Sequence, residues 1–234
     1  METVFNMYKR QVSRIVAFAV IGLILSSCAG LMIGGEAQTE FDKGLALFNQ
    51  GQFKEAVPYF EKAVSLEPNF YQAHLYLGRS HLNLRAYGKA LAPLRTAYRL
   101  SPEDFKKQVV DILIDALLGA AFSELKQGNF EASLGYIREA LSADPKSQKI
   151  KNDLSGVLVA VATELFKNGN VREAVKEYAE AIKVNPDNSG AYVGLAKALF
   201  KSGDLMKALE AAEKAVSLDP DSKEALDIIK EFLK

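Results

Sequence analysis

Five short proline-containing phrases recur along the chain and restrict what it can fold into. LEPN begins at Leu66, LSPE at Leu100, ADPK at Ala143, VNPD at Val184 and LDPD at Leu218. Their prolines, Pro68, Pro102, Pro145, Pro186 and Pro220, are separated by 34, 43, 41 and 34 residues. The stretches ahead of the prolines align without gaps: FNQGQFKEAVPYFEKAV, LNLRAYGKALAPLRTAY, LKQGNFEASLGYIREAL, FKNGNVREAVKEYAEAI and FKSGDLMKALEAAEKAV. A period near 34 residues marks a repeat array, in which each unit buries its apolar face only by stacking on a neighbour.

Three columns of the alignment hold small residues. The first contains Gly44, Gly78, Ala121, Ala162 and Ala196; the second Ala56, Ala90, Ser133, Ala174 and Ala208; the third Ala63, Ala97, Ala140, Ala181 and Ala215. With the prolines, these columns resemble the tetratricopeptide repeat over about residues 37–221. The resemblance implies an all-α fold, a right-handed superhelix (α-solenoid) of about five helix-turn-helix repeats. They would span 37–70, 71–104, 114–147, 155–188 and 189–222. Each repeat is then two antiparallel helices, A and B, which approach closely at the first two small columns. The third column sits where helix B meets the next repeat.

The turn between A and B has its own signals. Phe53, Tyr87, Phe130, Val171 and Leu205 stand where a bulky residue pins it. Gly51, Gly128, Gly169 and Gly203 stand where helix A ends in a left-handed residue. Arg85 replaces the glycine in the second repeat and is expected to strain or alter that turn. Pro58 and Pro93 fall inside B helices and predict mild bends.

Two insertions, at 105–113 and 148–154, contain neither Gly nor Pro. They predict N-terminal extensions of the A helices, giving helices from about Glu103 to Gln127 and Gln148 to Asn168. VVDILIDALLGAAF, at 109–122, is apolar nearly all round, as suits a helix packed on several sides. The segment 222–234 reads as a capping helix. Ser222 is its N-cap, and Leu226, Ile229, Phe232 and Leu233 form its apolar stripe.

The start of the chain is different in kind. Residues 15–35 carry no charge, and Lys9, Arg10 and Arg14 precede them. A basic segment ahead of a short apolar core is an export signal. Leu25-Ser26-Ser27-Cys28 follows and resembles a bacterial lipobox, with 1–27 as signal peptide, Cys28 as the lipidated residue and 28–36 as a tether. Ala29 after the cysteine resembles outer-membrane sorting. The chain is then expected to be lipid-anchored in a bacterial envelope, facing the periplasm. An uncleaved signal anchor in the inner membrane and ordinary cleavage after Ala37 remain open. So does a start at Met7. All place the repeats outside the cytoplasm.

Chemistry is harder to find. There are 29 basic and 29 acidic residues, so no excess of positive charge points to nucleic acid. The only cysteine is Cys28, and His74 and His81 lie on core columns about 10 Å apart along one helix. No catalytic motif is present, and the chain is read as a non-enzyme without cofactor, metal or small-molecule substrate.

The A-helix columns that line the groove in the tetratricopeptide family carry the remaining expectation. They supply Phe41, Leu45, Phe48 and Asn49; Leu75, Arg79 and Asn83; Phe122 and Lys126; Phe166 and Lys167; and Lys197, Phe200 and Lys201. Phe41 and Leu45 occupy places where relatives that bind chaperone tails carry Lys and Asn, so such a tail is not expected. The resemblance implies a protein-binding adaptor whose basic edge selects an acidic partner or a free carboxylate. Two alternatives are an envelope protein that self-associates through the apolar extensions and a regulator of a cell-wall enzyme.

Overall fold

The computed structural model describes residues 35–232, all of whose regular structure is helical. The signal segment, Cys28 and most of the tether lie outside the described residues, as does Leu233. Two compact units divide the chain between Ile112 and Leu113.

The first unit contains α1 (35–49), α2 (Phe53–Leu66), α3 (Tyr71–Asn83), α4 (Tyr87–Leu100) and the start of α5 (Glu103–Lys126). The second contains the rest of α5, then α6 (Phe130–Ala143), α7 (Gln148–Lys167), α8 (Val171–Val184), α9 (Ser189–Ser202), α10 (Leu205–Leu218) and α11 (Lys223–Phe232). Within each unit successive helices pack as hairpins, and the hairpins stack: α2 on α3 in the first unit, and α6 on α7 and α8 on α9 in the second.

One backbone device closes all five hairpins. Gly51, Gly128, Gly169 and Gly203 take φ between 76 and 86°, and Arg85 takes φ 56°. The residue after each donates back to the carbonyl five positions earlier, as in Gln52 N to Leu47 O at 3.0 Å and Ala86 N to His81 O at 2.9 Å. This is the Schellman closure, which satisfies carbonyls left over at the end of helix A. Arg85 therefore changes the cost of its turn rather than the geometry. Pro58 and Pro93 interrupt neither α2 nor α4.

The small columns lie where the helices touch. Every alanine in them is fully buried, as is Ser133, whose hydroxyl donates to the Ala121 carbonyl at 2.8 Å. A Cβ built on Gly44 would sit 2.8 Å from the Phe60 ring, and one on Gly78 would overlap the Leu94 side chain. Bulk on helix B thus fills the space that a glycine leaves on helix A. In the first unit Phe41, Phe60, Phe70 and Tyr76 form an aromatic core, with Phe41 5.0 to 5.7 Å from the other three rings. In the second, Tyr178 is buried among Ala162, Ala174 and Ala198, and its hydroxyl meets Thr163 Oγ1 at 2.9 Å.

The two long helices owe their length to the insertions. Of the apolar residues in those segments, Val109, Leu113, Ile150 and Leu154 are buried, while Val110 and Ile112 are half-buried. Phe105 is 47% exposed and lies 6.2 Å from the Tyr71 ring.

Candidate functional site

The groove columns separate into residues the fold consumes and residues it presents. Phe41 and Leu75 are each only 7% exposed and belong to the interior. The expectation that they line a groove is corrected for both. For Phe41 the reason is local: the Phe60, Phe70 and Tyr76 rings close over it. Leu45 is half-buried on the same cluster.

What the first unit presents is centred on Arg79. Its guanidinium lies 5.1 Å from the Phe48 ring and 5.0 Å from the Tyr76 ring, with the two rings edge to face. Stacking on two rings holds an otherwise flexible cation in one place. Asn83 is exposed and donates to the Arg79 carbonyl, and Asn49 is exposed nearby in sequence to Phe48.

In the second unit Phe122 is 39% exposed and Lys126 is exposed, apart from the clefts that the other groove residues form. The remaining groove residues do converge. A cleft of about 550 Å³ is lined by Val159, Thr163, Phe166 and Lys167 from α7, by Gly190, Val193 and Lys197 from α9, and by Glu224 from α11. A second cleft of about 440 Å³ lies between Phe166, then Lys197, Phe200 and Lys201 on α9, and Glu224, Asp227, Ile228 and Glu231 on α11.

The same residue types return 34 positions apart. Gly156 and Gly190, Val159 and Val193, Phe166 and Phe200, and Lys167 and Lys201 are matched pairs on α7 and α9. Lys201 Nζ sits 4.9 Å over the Phe166 ring, so an ammonium from one repeat rests on the aromatic face of the other.

The basic edge expected here is corrected by α11. Lys197 Nζ is 2.6 Å from Glu224 Oε2, and Asp227 and Glu231 line the same cleft. Lys167 is 3.5 Å from Glu164. The C-terminal end of the groove is therefore mixed in charge, not basic. α11 rests on α9 and α10 through Ala225, Ile228 and Ile229, and the Phe232 ring meets Phe200 edge-on at 5.6 Å. Reading 222–234 only as a cap hid this. The available signal was that Glu224, Asp227 and Glu231 follow Gly190, Val193 and Lys197 by one repeat length.

Both histidines are half-buried on α3, not in the core that their columns predict. His74 Nε2 is 2.9 Å from the Pro68 carbonyl, and burial holds the His81 imidazole below the usual histidine range.

Comparison with known proteins places this geometry among relatives. The sequence profile described as tetratricopeptide repeat matches residues 41–105 and 159–223. A TPR repeats protein from Bacteroides fragilis superposes with a TM-score of 0.64 at 15% identity, covering 84% of this chain and 97% of that one. That likeness shows the fold. YrrB, a TPR protein with an unusual peptide-binding site, aligns with a TM-score of 0.43 at 19% identity, over 82% of this chain and 90% of that one. Protein O-mannosyl-transferase Tmtc3 of Drosophila melanogaster is 38% identical over 60 residues, which are 26% of this chain and 6% of that protein. The chain thus matches only a small fraction of the length of this curated relative.

Proposed function

The chain belongs to the tetratricopeptide repeat family, and on that premise we propose that it is a non-enzymatic adaptor that holds a segment of another protein in the clefts of its second unit. It does so tethered to a bacterial envelope membrane by lipid on Cys28, with the repeats facing the periplasm. Leu25-Ser26-Ser27-Cys28 behind a basic, apolar leader supports the tether.

The observation that carries the binding reading is the duplication across α7 and α9. Two aromatic rings and two lysines recur at matched places around open clefts, above valines that pack into the core at Val159 and Val193. Half-buried Phe166 and Phe200 offer apolar area without filling the core.

The test is site-specific photocrosslinking of the full chain in its native membrane. A photoreactive residue at Lys201 is expected to trap a partner, and Phe166→Ala with Phe200→Ala to abolish trapping. The same probe at Lys54 or Lys176, both exposed on B helices, is expected to trap nothing. Equal trapping from all three positions would refute the cleft as the binding site.

A further inference from the structure

Resting on the adaptor reading above, we infer that the second unit's cleft takes a partner segment carrying a basic side chain beside an apolar one, the base meeting Asp227 and Glu231 and the apolar group meeting Phe166 and Phe200. α11 is the source of this specificity. It begins 34 residues after α9, and Ala225 is buried against Val193 and Ala215 in the column where α9 buries Ala191. It thus stands as the A helix of a sixth repeat. The columns that line the cleft as Gly190, Val193 and Lys197 on α9 become Glu224, Asp227 and Glu231 on α11.

The charges around the cleft are not all available. Glu224 faces Lys197 at 2.6 Å, so these two charges offset one another within the cleft, and Lys201 rests on the Phe166 ring. Asp227 meets Lys230 one turn away at 3.1 Å, but both side chains are about 70% exposed. Such a pair is worth little and exchanges readily for a better partner. Glu231 has no ionic partner among the described residues. Asp227 and Glu231 are four residues apart on one helix, which puts their Cβ atoms about 6 Å from each other. An ammonium or guanidinium fits between two carboxylates so spaced, and an acidic ligand is repelled there. The aromatic side of the same cleft, Phe166 and Phe200, lies within reach of the next apolar side chain of an extended segment.

The experiment uses three capped peptides of one sequence, each with a benzophenone group and a leucine, differing only in carrying Arg, Ala or Glu two residues from the leucine, on the same face of an extended chain. Each is photocrosslinked to the full chain, and labelled positions are mapped by mass spectrometry. The Arg peptide is expected to label α9 and α11 about fivefold more than the Ala peptide, and the Glu peptide less than either. Asp227→Asn with Glu231→Gln is expected to bring the Arg peptide down to the Ala level while the helical circular dichroism stays unchanged. If Arg and Ala peptides label the cleft equally, or Glu labels it best, the charge inference is overturned and the adaptor reading stands. If no peptide labels the cleft, both are overturned.

Discussion

The side-chain amide of Asn188 donates to the Ser155 hydroxyl at 2.8 Å, across 33 residues of chain. That hydroxyl is fully buried and donates onward to the Ala181 carbonyl at 2.9 Å. Asn188 also caps α9, accepting from Ala191 N at 3.2 Å. One short network thus ties the start of the fourth repeat to the end of its B helix and to the entry of the fifth.

Ser155→Ala removes the hydroxyl at the centre of this network and is expected to cost about 1 kcal/mol. Asn188→Ala loses the cap as well and is expected to cost about 2 kcal/mol. The double variant should cost less than the two together, because both remove the same bond. Denaturant titration of the three variants measures the coupling; strict additivity would show that the bond contributes nothing.

Arg85 holds the left-handed conformation that glycine holds in the other four turns. Arg85→Gly is expected to stabilise the chain by about 1 kcal/mol, since a side chain is disfavoured there. Arg85→Ala keeps a Cβ and should gain nothing of the kind. The denaturation midpoints of the two variants decide it.

Two glycine-to-alanine changes are expected to act in opposite directions. At Gly78 a Cβ would overlap Leu94, so Gly78→Ala should destabilise by about 1–3 kcal/mol. At Gly156, in the interior of α7, a Cβ would meet nothing within 4 Å, so Gly156→Ala should stabilise by about 0.5–1 kcal/mol through helix propensity. A shared sign in thermal melts would put the hairpin packing in doubt.

His81 makes stability depend on pH. Burial is the largest cause of its lowered pKa; Lys89 adds to it and Glu61 opposes it. The unfolded chain therefore takes up the proton first as pH falls. The contribution is fully present above the unfolded value of about 6.5 and is lost as pH falls from there through the folded value. His81→Leu, which places the residue found at Leu47, Leu165 and Leu199 in the same column, is expected to flatten that part of the curve. Denaturation at stepped pH between about 5 and 7 checks the slope.

Cys28→Ala is expected to abolish fatty-acid labelling and to leave unprocessed precursor. Labelling that persists in the variant would end the lipobox reading.

The sequence by itself determined the all-helical repeat architecture, because each signal for it is local or recurs at a fixed interval. A left-handed residue closes helix A, a proline follows helix B, and a small residue stands wherever two helices touch. Gly44 and Phe60, or Gly78 and Leu94, are matched within a single repeat, so their meeting is legible from spacing alone. The candidate site was legible only in part. Periodicity names the face of a helix on which a side chain lies, but not the neighbour that covers it. The tertiary structure alone sent Phe41 into an aromatic core, because Phe70 at the end of its own repeat and Tyr76 from the next one close over it. It alone brought Glu224 from α11 onto Lys197 and turned an expected basic edge into one of mixed charge. A charge acquires its meaning from what packs against it, and across 27 residues of chain only the stacking of helices decides that.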